Sequence, residues 1–290
     1  MMLSARRWLH RRRMSVVGIT RFSAIFRDTH PYSNADLPFD LRVDHLFEAE
    51  RLQKRIAIWE AVTLPSLAAQ TDPDFKLLLV TSSLSPPWAL DRIEGLLARQ
   101  PYPSLVLTLG PDESFTKSVR RGVRSLVEPT HGRVGTFRLD DDDALAADWV
   151  SRFRTAVEAG QKTVPAPEIY GFENGWFLSA GQGQGQGVRL HAATRRLIAC
   201  GLARVSPRAP LRTVHSTTLS HNKLDDLLAT KHCGGAPAWI VTAHELNDSD
   251  RMHNAELLAA PVLTPSQAAT RLGPSFSGID IEQMANALGR

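Results

Sequence analysis

Val134 to Asp143 reads VGTFRLDDDD. A short apolar run delivers four consecutive aspartates, and the fold is read outward from that junction. Val134–Leu139 has the composition of a buried strand. Adjacent carboxylates repel, and their charge is costly unless paired or metal-bound. In extended chain alternate side chains share a side, so Asp140 and Asp142 are expected to converge on one cation. Oxygen donors suit a hard ion such as Mg²⁺ or Mn²⁺. A solvated acidic loop or a helix N-cap is the plainer reading of such a run, and Asp148 looks like a cap of that kind. The run follows a strand core rather than a polar linker, which favours the cation.

Upstream, strands and helices alternate. Val16–Phe26 reads as a first buried strand, followed by a polar connection over 27–44 that is long enough to be functional. Leu46–Gln70 has helical spacing, with Leu52, Ile56, Trp59, Val62 and Leu67 on one side and Pro65 expected to kink or end it. Phe75–Ser82 is a continuous apolar run, the mark of a strand covered on both faces. A helix over Leu90–Arg99, a strand over Leu105–Leu109 and a helix capped by Ser114 precede the acidic strand, and a helix over Asp148–Ala159 follows it. Four such units predict an α/β fold, a mostly parallel central sheet flanked by helices. Ligands of such sheets bind beyond the carboxyl ends of the strands, where the aspartates lie.

The second half is different and predicts a smaller mixed or antiparallel part. Glu168–Ser179 and Val188–Ala193 read as an antiparallel pair around GQGQGQG (Gly181–Gly187), and Trp239–Thr242 as a short strand running toward His244. After Leu257 come an apolar segment and a weak final helix. With 290 residues, 43% apolar and 22% charged, the chain can bury a large core. Its net charge of +4 owes much to Arg6, Arg7, Arg11, Arg12 and Arg13; the remainder is close to neutral, which argues against nucleic acid as a partner. Residues 1–14 are expected to be a disordered basic extension, without the apolar core of a secretory signal. No apolar run is long enough for an integral membrane segment. Cys200 and Cys233 have neither metal-site nor disulfide spacing, which suits a reducing cytoplasm.

ITRFS (19–23), TLPSLAAQTDPDFKLLLVTS (63–82), RLDDDDAL (138–145) and WIVTAHELNDS (239–249) together resemble the bacterial rhamnosyltransferase family of GT-A glycosyltransferases, over roughly residues 16–251. The resemblance implies a GT-A-like (Rossmann-like) fold, with 15–160 as the nucleotide-sugar-binding half and 161–290 as the acceptor-side half of the same domain. It implies metal-dependent transfer of a sugar, rhamnose by the family's label, from a nucleotide-diphosphate sugar to a hydroxyl of a glycan or glycolipid precursor. The setting is cytoplasmic or peripheral at the inner membrane, and the cofactor is Mn²⁺ or Mg²⁺. Position by position, Asp140 is shared between metal and donor, Asp142 and His244 bind the metal, and Asp143 supports the donor sugar. Asp141 is expected to point away. The family tends to read His-Gly-x-Asn where this chain has His244-Glu245-Leu246-Asn247; Asn247 then belongs to the donor site, while the missing glycine alters the loop and Glu245 adds a carboxylate near the diphosphate.

Arg21, just after the first strand core, suits a diphosphate or base. Related transferases place an arginine on the helix before the acidic strand, which makes Arg121 and Arg124 nucleotide candidates and leaves Lys117 and Arg120 solvated. An inverting reaction needs a general base: Glu173, within GFENGW, and Asp226 are the candidates, with Asp225 beside them. His215 and His221 are expected to line the acceptor cleft. Haloacid dehalogenase-type phosphatases also place Asp-x-Asp after a strand, but after the first one. A metal-dependent phosphohydrolase or nucleotidyltransferase using the same aspartates, and a non-catalytic GT-A-like binding protein, are the alternatives.

Overall fold

The computed structural model describes residues 14–25, 37–181, 187–216, 221–247 and 255–289. Residues 1–13 of the expected basic extension, Phe26 of the expected first strand and 27–36 of the long connection lie outside these. Met14 already belongs to a strand. Strands β1 (Met14–Arg21), β2 (Lys76–Ser82), β3 (Ser104–Leu109) and β4 (Arg133–Arg138) pair in parallel in the order β4-β1-β2-β3. From Leu77 onward β2 is buried throughout, as its unbroken apolar run requires.

β5 (Ala144–Leu145) leaves the acidic run for a second sheet. Next come β6 (Ile169–Phe172), β7 (Asn174–Ala180), β8 (Val188–Thr194), β9 (Ala203–Pro207), β10 (Thr230–Cys233), β11 (Trp239–Ala243) and β12 (Val262–Leu263). The first sheet runs β10-β6-β9-β4-β1-β2-β3, with β9 the one reversed strand. The second runs β12-β8-β7-β11-β5. β7 and β8 form the expected hairpin, closed by Gly181 N–H to Gly187 O at 3.1 Å; residues 182–186 lie outside the described part. β11 runs parallel to β7. The two halves are thus interleaved: β5 serves the second sheet, while β6, β9 and β10 complete the first.

The helices are α1 (Phe39–Leu46), α2 (Ala49–Ala61), α3 (Thr63–Ala68), α4 (Pro87–Leu97), α5 (Phe115–Leu126), α6 (Trp149–Gly160), α7 (Ala255–Ala259), α8 (Pro265–Leu272) and α9 (Ile281–Leu288). One expectation is corrected here, and another, the break at Pro65, is met three residues early. The connection over 27–44 contains α1, and the helix over 46–70 is broken at Val62. Pro65, third in α3, has no N–H to bond back to Ala61, so the break falls before it. α2, α4 and α6 cover one face of the first sheet through Leu52, Ile56, Trp59, Ile93, Trp149 and Phe153. α5 covers the other through Val119 and Val123. α8 and α9 close the second sheet against Ile58 and Val62. The open edge left by this packing carries the ends of β1 and β4 and the aspartates.

Candidate metal and donor site

The end of β4 is pinned from both sides: Arg138 N–H donates to Leu202 O (2.9 Å) and Leu139 N–H to Ile19 O (3.1 Å). Beyond Leu139 the extended geometry stops. Asp143 N–H donates back to Asp140 O (3.3 Å), so residues 140–143 form a turn. A turn fans out side chains that a strand would alternate. Each carboxylate finds its own partner, which offsets part of the like-charge repulsion.

Asp140 accepts from Arg138 through both oxygens, from Nε at 3.1 Å and Nη2 at 2.9 Å, at a partly exposed position. Asp141 turns into the protein and is gripped by Arg55 of α2, from Nε at 3.2 Å and from Nη2. Burial pushes the Asp141 carboxyl up to about 6, Arg55 pulls against it, and Asp142 adds to the rise. Asp142 turns toward the loop after β11. Its Oδ2 lies 3.2 Å from His244 Nε2 and accepts from Asn247 Nδ2 at 2.7 Å. Asp143 is fully buried and accepts from Thr242 N–H at 3.1 Å.

The backbone of the turn is held as firmly. Thr63 Oγ1 donates to Asp143 O (2.8 Å), and Thr242 Oγ1 donates to Asp142 O (2.7 Å). Gln70 spans Ala146 O (2.8 Å) and Val150 N–H (3.0 Å), and Thr71 N–H donates to Ala147 O (2.7 Å). Thr63 thus serves the acidic turn, and Gln70 and Thr71 the segment just after it, roles that helical periodicity could not reveal. Arg55 was missed as well, although it had a signal: it shares the stripe of Leu52, Ile56 and Trp59, where a charge must find a buried partner.

His244 is itself fixed. Its N–H donates to Asn247 Oδ1 (2.7 Å), and its Nδ1 accepts from Leu246 N–H (3.2 Å), which leaves the ring proton on Nε2, facing Asp142. A divalent ion at Nε2 would take the neutral ring with its proton on Nδ1, and the Leu246 N–H contact to Nδ1 would then have to open. Two ligands at right angles on an ion ~2.1 Å away stand ~3 Å apart, and the 3.2 Å between Asp142 Oδ2 and His244 Nε2 fits. Both side chains are nearly enclosed, at 8% and 2% exposure. Asp142 and His244 would hold such an ion, and two protein donors would leave room for phosphate oxygens and water, as is usual for Mg²⁺ at phosphate sites.

Several expected site residues fall elsewhere. Asp140 pairs with Arg138 whereas Asp142 meets His244, and among the described residues no group of three His, Cys, Asp or Glu forms a metal cage, so Asp140, Asp142 and His244 do not make the expected three-ligand set. Asp143 is too deeply buried to touch a donor sugar. Arg121 and Arg124 face solvent, Arg121 beside Glu113 at 3.7 Å, because the buried stripe of α5 is Ser118, Val119, Gly122 and Val123. Arg120, expected to be solvated, is the partly buried one, with Nε enclosed. Glu173 lies five residues before Leu178, the β7 position level with Thr242 and hence with Asp142. That places it roughly 16 Å along the strand from the level of Asp142. It sits 3.5 Å from His232, whose other nitrogen meets Asp225 at 3.0 Å. Asp226 is exposed at the end of a short 3-10 helix, His221–Asp226. Neither candidate base joins the cluster at Asp142.

Arg21 ends β1, beside β4, so it and the Arg138–Asp140 pair share one edge of the sheet. His215 belongs there too. Its ring meets Phe115 edge-on at 5.2 Å, and its carbonyl accepts from Thr116 Oγ1 at 3.3 Å. Its Nε2 is enclosed without a hydrogen-bond partner. Burial, then Arg138 and Arg21, lowers the His215 pKa from 6.5 to about 3, with Asp140 opposing. The unfolded chain therefore takes up a proton here below pH 6.5 while the folded chain does not until about 3. The stability that neutral His215 allows is present above pH 6.5 and is lost progressively as pH falls toward 3. His215→Asn is expected to flatten the fall of Tm over that interval; an identical slope in thermal melts of the two proteins would refute the assignment.

Comparison with known proteins places these motifs in a family. None of the curated proteins matches the chain significantly. Among solved structures, S. aureus TarS 1-349 in complex with UDP-GlcNAc overlaps with a TM-score of 0.42 at 11% identity, covering 88% of this chain and 63% of that one. This chain therefore spans less than two thirds of that TarS fragment. HddC from Yersinia pseudotuberculosis overlaps at 0.38 and 12% identity, over 78% of this chain and 93% of its own. The 4-diphosphocytidyl-2C-methyl-D-erythritol synthase from Anaerococcus prevotii overlaps at 0.34 and 11%, over 81% and 91%. Overlaps this loose carry no functional weight. The family match does identify the chain: residues 15–256, which include the acidic turn, its supporting helices and the His244 loop, match the family described as "Putative rhamnosyl transferase", and the protein belongs to that family.

Proposed function

We propose that the chain is a metal-dependent glycosyltransferase that moves a sugar, rhamnose by the family's description, from a nucleotide-diphosphate donor to a hydroxyl acceptor on a glycan or glycolipid precursor. The observation that carries this reading is the meeting of Asp142 with His244 at an edge that also presents Arg21 and the Arg138–Asp140 pair. A bound Mn²⁺ or Mg²⁺ supplies charge neutralisation to the departing diphosphate. Asp142 and His244 hold the ion, and Asn247 ties them together, donating from Nδ2 to the Asp142 carboxylate and accepting from the His244 backbone N–H. Arg138 orients Asp140, whose carboxylate accepts from hydroxyls of the donor. Arg21 offers a planar donor set to the phosphates. The acceptor oxygen forms a bond to the anomeric carbon as the bond from that carbon to the diphosphate oxygen breaks, and the hydroxyl proton passes to a base. A cytoplasmic setting goes with such a donor. Among the described residues no helix is long and apolar enough to cross a membrane.

The test is incubation with a panel of sugar nucleotides and Mn²⁺. Metal-dependent release of a nucleoside diphosphate is expected. Release of a monophosphate, pyrophosphate or free phosphate instead would point to a hydrolase or nucleotidyltransferase and overturn the proposal.

A further inference from the structure

Arg55 reaches three acceptors with one buried guanidinium. Nε, at 3.2 Å, and Nη2 hold the two oxygens of Asp141, while Nη1 donates to Leu246 O at 3.1 Å. Asp141 is the neighbour of Asp142. Leu246 sits between His244 and Asn247. Arg55 therefore bridges two segments, 102 residues apart at their Asp142–His244 contact, that supply the two donors.

Stability by itself does not explain this group. Buried ion pairs can often be replaced by apolar side chains of like volume without loss. An apolar pair here would pack α2 against the turn and leave the Leu246 carbonyl unheld. The nearby Lys54, between Glu50 (3.1 Å) and Glu245 (3.5 Å), is more exposed and contributes little.

We infer that Arg55 is a positioning residue for the cation, setting the acidic turn and the His244 loop at the separation that one ion requires. The inference rests on the proposed metal site. Lysine cannot replace the fork, because a single ammonium lacks the planar arms that reach Asp141 and Leu246 together.

The test is titration of the full chain with Mn²⁺ alone, with free ion counted by electron paramagnetic resonance. Arg55→Lys is expected to weaken Mn²⁺ binding about 10- to 100-fold, the usual effect of losing a group that orients metal ligands. The paired change Arg55→Met with Asp141→Leu, which removes both buried charges, should do the same while keeping the wild-type circular dichroism spectrum and metal-free Tm. Turnover of Arg55→Lys should recover as Mn²⁺ is raised, which a damaged fold would not allow. Wild-type Mn²⁺ affinity in either folded variant overturns the positioning role and leaves the metal site standing. A wild-type chain that takes up no Mn²⁺ overturns the metal site, and the role of Arg55 falls with it.

Discussion

Asp142→Asn is expected to lower metal-dependent nucleoside-diphosphate release about 100- to 1000-fold, the scale for losing one preorganised charge-stabilising contact, here that of the ion Asp142 would hold, to the departing diphosphate. The effect is large because Asp142 provides the anionic half of a two-donor set, and an amide oxygen offers a divalent ion much weaker attraction. The fold should survive. Asparagine has nearly the same shape, and the bond from Thr242 Oγ1 goes to the backbone carbonyl at 142, which the substitution leaves in place. The protein should melt at its wild-type temperature without metal and lose its shift on adding Mn²⁺, since only native-state binding raises Tm. Wild-type release in the presence of Mn²⁺ would show that Asp142 is not the ligand.

Arg55→Met on its own is expected to destabilise the protein by about 3–5 kcal/mol, the usual cost of stranding one partner of a buried ion pair. Asp141 is only 3% exposed, so water cannot take over from the guanidinium. Burial already pushes its carboxyl up to about 6, and losing Arg55 pushes it further the same way. An Asp141 protonated in the folded state but ionised in the unfolded one makes stability fall as pH rises. The defect should therefore be larger at pH 8 than at pH 5. Adding Asp141→Leu should recover most of the loss. Denaturant titration of the single and double variants at both pH values measures each of these. A single variant within 1 kcal/mol of wild type would mean that the pair is not buried as described.

The parallel sheet, and the place of the aspartates beyond the carboxyl end of one of its strands, were legible in sequence because continuous apolar runs such as FKLLLVTS have few other stable uses. The second half was less so. β9 and β10 are short and carry Arg204 and Lys231, so they lack an apolar signature; they become strands because β4 and β6 present open edges. Arg204 can lie buried there because it meets Glu168 at 2.8 Å. Pro65 correctly announced a break, displaced by three residues because the missing N–H acts on the preceding turn.

VGTFRLDDDD by itself determined that a buried strand ends in concentrated negative charge at the carboxyl end of an α/β sheet. It could not apportion that charge. Strand alternation predicted Asp140 and Asp142 together, whereas the hydrogen bond from Asp143 N–H to Asp140 O turns the chain and sends the four carboxylates to Arg138, Arg55, His244 and Thr242. Apart from Arg138, two residues before Asp140, those partners are remote in sequence. Which aspartate meets His244 was therefore decided by tertiary packing, because local spacing specifies direction only while the backbone stays regular.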